Sequence, residues 1–353
     1  MKRLSSDRFF DALSARTREM RSPEAATFEL TYGCNLRCVH CYNPTHRALP
    51  QELTTQEVFS ILDQLPDLGV VTLTFTGGEL LVRPDVFDIF ERAKRLGLLL
   101  DLISNATRIT PAVADRLRQL AFHGLCISIY GATKGTYERI TGVPASFEPF
   151  LRGLECLASR KLPAVVRMPV MAGNAEEVRA AKALVEGYGF KFQYGMEILP
   201  KTNGDPAPLQ YRLSPQEIVR LTLDITAERY HEAPGEKSCL ADGGFIECAC
   251  GRNRFAITPY GEMILCTAFP IPKYDLRKGT VREGWDVLKQ TVDRARPNDN
   301  YECPACDLER HCTQKRNHAW LETGDMSACL PHYKEMAGLE KSLYERLNPR
   351  RLD

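Results

Sequence analysis

Cys34, Cys38 and Cys41 fall within the stretch "TYGCNLRCVHCYNP" (31–44), spaced Cys-x3-Cys-x2-Cys. Three thiolates with no fourth nearby are an unusual set. A closed zinc site takes four ligands, and disulfides need pairs. Three thiolates and one vacant position suit a metal centre that also holds a substrate. Iron–sulfur clusters are the usual cargo of closely spaced cysteinates. On spacing alone, a zinc knuckle or a set of plain loop thiols is the alternative.

A second field lies downstream. Of the 13 cysteines, eight fall between residues 239 and 329, and only Cys126 and Cys156 are isolated. The count is odd and the clustering tight, which favours metal or redox work over structural disulfides. Cys126 sits on an apolar run and Cys156 on a helical one, so both read as small core hydrophobes. The four-cysteine set Cys303, Cys306, Cys312 and Cys329 would also satisfy a tetrahedral zinc ion.

These residues must be held by a scaffold. From 24 to 200 short apolar strands alternate with amphipathic helices. The strands are expected at 26–32, 70–79, 98–107, 125–131, 164–171 and 190–200. Each crossover needs its own helix, so the sheet is expected to be parallel. The near-continuous apolar runs predict that both faces are covered. The fold class is therefore α/β, a partial (β/α)6 barrel, followed by a smaller Cys-rich β-hairpin and loop domain. The expected division is an extension at 1–23, the barrel at 24–200, a linker and helix at 201–238, the Cys-rich domain at 239–335 and a closing helix at 336–353. The hairpin is expected at "RFAITPYGEMILC", turning at Gly261. In such sheets ligands bind at the carboxyl ends of the strands. The Cys loop, "FTGGEL" (75–80) and "ISNAT" (103–107) all fall there.

Lys plus Arg is 46 against Asp plus Glu 45, which argues against a nucleic-acid face. No apolar run is long enough to span a bilayer and no signal core opens the chain, so no membrane partner and a cytoplasmic location are expected.

The Cys34–Cys38–Cys41 loop at the end of a first strand resembles the signature of the radical S-adenosylmethionine (SAM) enzymes. The resemblance implies a [4Fe-4S] cluster on these three cysteines. Its open iron chelates SAM, and one electron cleaves the sulfonium to a 5′-deoxyadenosyl radical. His40 matches the position whose backbone contacts adenine, with Tyr42 beside it. Gly77, Gly78 and Glu79 resemble the motif that holds the SAM amino group; glycine permits close approach and a carboxylate complements an ammonium. Ser104 and Asn105 match the ribose-contacting position. Ser128, in "SIYG", matches a Ser-x-Asp-Gly sequence of many relatives, with Tyr130 in place of the acid. Arg167 is a candidate for the SAM carboxylate, the plainer reading being a salt-bridge partner.

Cys250-x10-Gly261-x4-Cys266 followed by Cys303-x2-Cys306-x5-Cys312 and Cys329 resembles the SPASM extension of that family, which binds up to two auxiliary iron–sulfur clusters. The family pattern continues with a cysteine where this chain has Arg316. The resemblance implies a distal cluster on Cys303, Cys306, Cys312 and Cys329. A proximal one would use Cys250 and Cys266 plus one or both of Cys239 and Cys248. His318 is a possible substitute ligand, and an open or two-iron proximal cluster is an alternative. Such a cluster accepts the electron that closing a new bond releases.

Relatives with this layout mostly modify peptides or proteins. The expected function is oxidative modification of a peptide, by crosslinking a ribosomally made precursor. Cys126 is then a candidate hydrogen-atom donor. A small-molecule reaction, porphyrin side-chain decarboxylation or sugar oxidation, is the first alternative. A non-catalytic zinc-binding adaptor is the second. Expected partners are the precursor peptide and a flavodoxin- or ferredoxin-type reductant. The two dozen residues before the first strand are too few for a leader-binding domain, so a separate leader-binding protein or direct binding is expected.

Overall fold

A computed structural model of the chain describes residues 6–226 and 244–348. The first helix, α1 (Ser6–Met20), leads into β1 (Ala25–Glu29). There follow α2 (Thr55–Leu68), β2 (Thr72–Thr76), α3 (Val86–Arg95), β3 (Leu99–Ser104), α4 (Pro111–Leu120) and β4 (Gly124–Ser128). Two helices, α5 (Lys134–Thr141) and α6 (Phe147–Ser159), precede β5 (Val165–Pro169), and α7 (Val178–Gly187) precedes β6 (Lys191–Gly195). All six strands pair in parallel with their sequence neighbours, as helical crossovers require.

Local chemistry sets the helix limits. Thr54 and Glu57 form a reciprocal capping box on α2, and Gly69 ends that helix in a left-handed conformation. Between them Val58, Ile61, Leu62, Leu65 and Leu68 form one buried face, the 3.6-residue period that packs a helix on a sheet.

The two faces of the sheet differ. Phe28, Leu73, Phe75, Leu100, Leu102, Ile127, Val166 and Met168 are buried beneath the helices. Alternate positions on neighbouring strands, Thr74, Asp101, Cys126, Arg167 and Gln193, line an open cavity of about 930 Å³. The expectation of two apolar faces therefore holds on the helix-covered side only. A closed barrel fills its interior with side chains, whereas this open sheet leaves a cavity lined by both polar and apolar side chains.

The hairpin turning at Gly261 forms as expected, from β7 (Arg254–Ile257) and β8 (Glu262–Ile264). It does not stand apart. β7 pairs in parallel with β1, and β9 (Tyr274–Asp275) ends a nine-stranded sheet of order β6-β5-β4-β3-β2-β1-β7-β8-β9. The sheet thus runs across the expected boundary at residue 239.

The remaining helices brace this sheet. In α9 (Val281–Arg294), the Trp285 indole donates to the Arg21 carbonyl at 3.1 Å. α10 (Arg316–Thr323) and α11 (Pro331–Leu347) follow, with α11 lying on α8 (Pro215–Thr226). Arg212 bonds Glu322 at 2.6 Å, with both side chains almost buried. The expected 201–238 segment is thereby tied to the C-terminal helices as far as it is described. α1 lies across the amino ends of the strands: Phe10 packs on His123 with ring centres 5.5 Å apart, and Asn253 donates to the Ser14 carbonyl at 3.1 Å. Among the described residues no helix is long and apolar enough to cross a membrane.

Candidate functional site

The loop after β1 rests on α5. The Arg37 and Val39 amides donate to the carbonyls of Thr141 (2.8 Å) and Ile140 (3.0 Å). These lie in the last turn of a helix, where carbonyls have no intrahelical partner. Arg37 clamps the turn through Nη1, which donates to the Cys34 and Leu36 carbonyls at 2.6 and 2.7 Å. Buried Asn43 donates to the Tyr32 carbonyl (2.8 Å) and accepts from the Thr45 and His46 amides (3.1 Å each).

Within this frame the three thiols gather. The Leu36 amide donates to Cys34 Sγ at 3.4 Å, and Asn105 Nδ2 lies 4.0 Å from the same sulfur. Burial raises the Cys34 thiol. Burial and then the charges of Cys41 and Cys34 raise Cys38 well above the ordinary thiol range. Cys41 is pushed up to about 12, chiefly by burial.

The β2 terminus closes on this loop. A Cβ on Gly77 would lie 2.3 Å from the Thr31 carbonyl oxygen, and one on Gly78 would lie 2.1 Å from that of Gly33. Gly77 also takes a positive φ of 136°. The glycines are there because two backbones touch: the Gly78 amide donates to Thr31 O at 2.7 Å and the Glu79 amide to Gly33 O at 2.9 Å. Glu79 is fully buried. Its carboxylate accepts from Ser104 Oγ (3.0 and 3.1 Å), the Asn105 amide (2.8 Å) and the Leu81 amide (3.2 Å). Burial raises its pKa against these bonds. Ser104 and Asn105 therefore hold Glu79, and Asn105 also reaches Asn35 at 3.2 Å. Three strand ends are cross-linked beside the thiols.

His40 packs on Tyr130 with ring centres 5.4 Å apart. Its Nδ1 is buried without a hydrogen-bond partner among the described residues, and burial lowers its pKa to about 4. Tyr130, in the place of the family's acid, is buried; it interacts with Cys38 and with Ser128. Tyr42 donates to Glu29 at 2.9 Å. Glu29 is also fully buried, with Tyr32 Oη 3.3 Å away, and burial pushes its carboxyl up to about 7 against those two tyrosine bonds. Sequence reading passed over Glu29, although an acid closing the apolar run "ATFE" was a visible signal. Cys126 and Arg167 lie in the lumen. Arg167 donates to Gln193 at 3.0 Å, away from the Glu79 network. Cys126 is accordingly not a core residue, because its position alternates with buried Leu125 and Ile127; Cys156 packs against the core.

The second field divides in two. Cys303, Cys306, Cys312 and Cys329 line one cavity of about 420 Å³. The free thiols of Cys248 and Cys250 share a hydrogen bond, as do those of Cys250 and Cys266; the Cys250 interaction and burial drive Cys248 far up. Cys239 lies outside the described residues. Arg316 borders the four-thiol cavity, with Nη2 and Nη1 3.7 and 3.8 Å from Cys303 Sγ. His318 is occupied elsewhere: Nε2 lies 2.9 Å from Glu197 Oε1, Nδ1 faces the Lys315 amide, and the ring stacks on Tyr333. The structure does not bring it to either thiol set, because its place in α10 turns it to Glu197.

The mouth has the chemistry of a site for positively charged groups. Three thiols and two carboxylates are all buried enough to resist ionisation. Iron ions and an ammonium would supply the missing charge. Among the described residues no three Cys, His, Asp or Glu side chains converge on a single ion. Cluster ligands have no need to converge, since each binds its own iron.

Comparison with known proteins agrees. Residues 28–184 match the model of the Radical SAM superfamily. Mycofactocin maturase MftC of Mycobacterium tuberculosis is 30% identical over 311 residues, 84% of this chain and 78% of that protein. The AdoMet-dependent heme synthase of Methanosarcina barkeri is 27% identical over 337 residues, 86% of this chain and 94% of the synthase. In fold, the chain is similar to Streptococcus suis SuiB bound to its precursor peptide SuiA: TM-score 0.66, 15% identity, covering 90% of this chain and 78% of SuiB. With the thiol loop, the paired glycines and Glu79 meeting at one barrel mouth, the chain belongs to the radical SAM superfamily and is a radical SAM enzyme.

Proposed function

We propose that the enzyme oxidatively modifies a peptide, crosslinking a ribosomally made precursor. Cys34, Cys38 and Cys41 would hold the [4Fe-4S] cluster, and Glu79 the SAM ammonium. Bound there, cluster and SAM supply a 5′-deoxyadenosyl radical that abstracts hydrogen from substrate. The protein's own part is to position and to exclude. Ser104 and the Asn105 and Leu81 amides fix the Glu79 carboxylate. Gly77 and Gly78 let that segment lie against the cysteine loop. His40 and Tyr130 wall the loop, His40 presenting an unpaired nitrogen. Ser128, Arg167 and Cys126 lie on β4 and β5, where they would meet cofactor or substrate, Cys126 as the candidate hydrogen donor.

Cys303, Cys306, Cys312 and Cys329 would hold one auxiliary cluster, and Cys250 and Cys266, with one or both of Cys239 and Cys248, a second. Membership of an enzyme family sets aside the non-catalytic zinc adaptor. A flavodoxin- or ferredoxin-type reductant and a separate leader-binding protein complete the proposal, together with a cytoplasmic location, which suits many reduced thiols.

The observation that carries the substrate reading is the unclosed sheet, with β6 and β9 at its two edges: a sheet that does not close leaves a side entrance that an extended chain can use. The cavity of about 930 Å³ lies towards the amino ends of the strands, its lining including the turns before β4, β5 and β6 and none of the three thiols or Glu79. SuiB binds a precursor peptide and MftC is a maturase, which supports the same reading. One similarity favours porphyrin decarboxylation: the heme synthase is a relative matched along 94% of its length.

Anaerobic reconstitution with SAM and dithionite tests both. Release of 5′-deoxyadenosine with loss of hydrogen from a short peptide encoded nearby supports the peptide reading. Turnover of a porphyrin carboxylate with release of carbon dioxide, and none of the peptide, replaces it.

A further inference from the structure

The residue that stands where the family has a cysteine does something of its own. Arg316 opens α10 and is only 8% exposed. Its guanidinium donates towards Cys303 Sγ from two nitrogens, at 3.7 and 3.8 Å. A third contact reaches Tyr301 Oη at 3.4 Å. The rings of Tyr301 and Phe245 lie 4.7 and 5.2 Å from the guanidinium carbon, and these two rings meet edge to face. A planar cation held by aromatic rings keeps its orientation. It also keeps its charge at any working pH. Buried, that charge is poorly screened by water. The lysines near this thiol set differ: Lys315, Lys334 and Lys341 are on the surface, paired with Glu197 (3.9 Å), Glu302 (3.3 Å) and Asp307 (2.7 Å).

We propose that Arg316 is a potential-setting residue for the cluster carried by Cys303, Cys306, Cys312 and Cys329, stabilising its reduced form. This rests on the auxiliary-cluster reading above. Reduction adds one electron to the thiolate-bound iron–sulfide core, and hydrogen bonds to sulfur together with net charge set the potential at which it does so. A donor cation on a ligand sulfur favours the more negative state. Where the family pattern has a cysteine, this chain thus places a fixed charge beside the four-thiol set.

The test is an EPR-monitored redox titration of the anaerobically reconstituted full chain. The signal lost in Cys306→Ala identifies the distal cluster, with iron and sulfide content measured in parallel. Arg316→Gln is expected to lower its midpoint by about 59 mV, a tenfold change in a one-electron equilibrium, with iron and sulfide unchanged. Arg316→Lys, which keeps a charge, is expected to shift it less. An unmoved midpoint in Arg316→Gln overturns the proposal. So does loss of iron in both variants, which would make Arg316 merely structural. If Cys306→Ala removes no signal from the wild-type spectrum, the auxiliary-cluster reading fails and takes this one with it.

Discussion

At the barrel mouth, Cys34, Cys38 and Cys41 share their surroundings with Glu29 and Glu79, both fully buried. In the C-terminal cavity, Cys303, Cys306, Cys312 and Cys329 share theirs with buried Arg316, while the neighbouring Glu302 is exposed. The buried ionisable groups are thus acids at one set and a guanidinium at the other. On the proposed reading, acids held neutral by burial would give up their protons when a cationic group binds among the three thiols, whereas a fixed cation beside the four thiols would favour the reduced state of the group they hold.

The sharpest way to break this comparison is to remove one thiol from each set. Cys38→Ala is expected to take 5′-deoxyadenosine release to background. Cys306→Ala is expected to keep uncoupled SAM cleavage and lose modified product. Equal effects of the two, measured by chromatography of the nucleoside, would erase the distinction.

Glu79→Gln tests the mouth's charge. A hydrogen bond to a charged group contributes about 1.5–3 kcal/mol, so SAM affinity should fall by roughly 10- to 150-fold in equilibrium dialysis, with iron content retained. Gly78→Ala tests its packing. The added methyl meets Gly33 O at 2.1 Å, so iron should be lost from the mouth set while the C-terminal set, counted by its own EPR signal, stays loaded.

Glu29 gives a pH dependence. Its folded pKa of about 7 exceeds its ordinary 4.5, so between these values the folded chain keeps a proton that the unfolded chain has released. Stability should fall as pH rises through that window, by roughly 3 kcal/mol in all. Denaturant unfolding at several pH values should show this slope, and Glu29→Gln should flatten it. The smallest effect belongs to Glu57, whose exposed pairing with Arg277 at 2.7 Å joins α2 to the segment after β9. Glu57→Gln should cost about 0.2–1 kcal/mol, as exposed ion pairs do.

Much of this was legible in the sequence because it is periodic or local. The parallel strands follow from short apolar runs between helices, and the α2 limits from Thr54 or Thr55 as cap and Gly69 as stop, of which the structure uses Thr54 and Gly69. What was not legible depends on distant parts meeting. "KGTYERIT" is too short and polar to announce α5, yet its last carbonyls support the cysteine loop. The hairpin at Gly261 was visible, but its joining the barrel sheet through β1 was not. Gly77 and Gly78 were expected to make room for a ligand; they make room for another backbone. Glu29 was visible as an acid closing an apolar strand, but its burial beside the thiol loop was not, and Arg316 showed only as a missing cysteine.

The most direct test of the central claim is the EPR spectrum of the reduced enzyme with and without SAM. A signal perturbed by SAM should persist in Cys306→Ala and vanish in Cys38→Ala. A SAM-perturbed signal that survives in Cys38→Ala would contradict the assignment of the open coordination site to the barrel mouth.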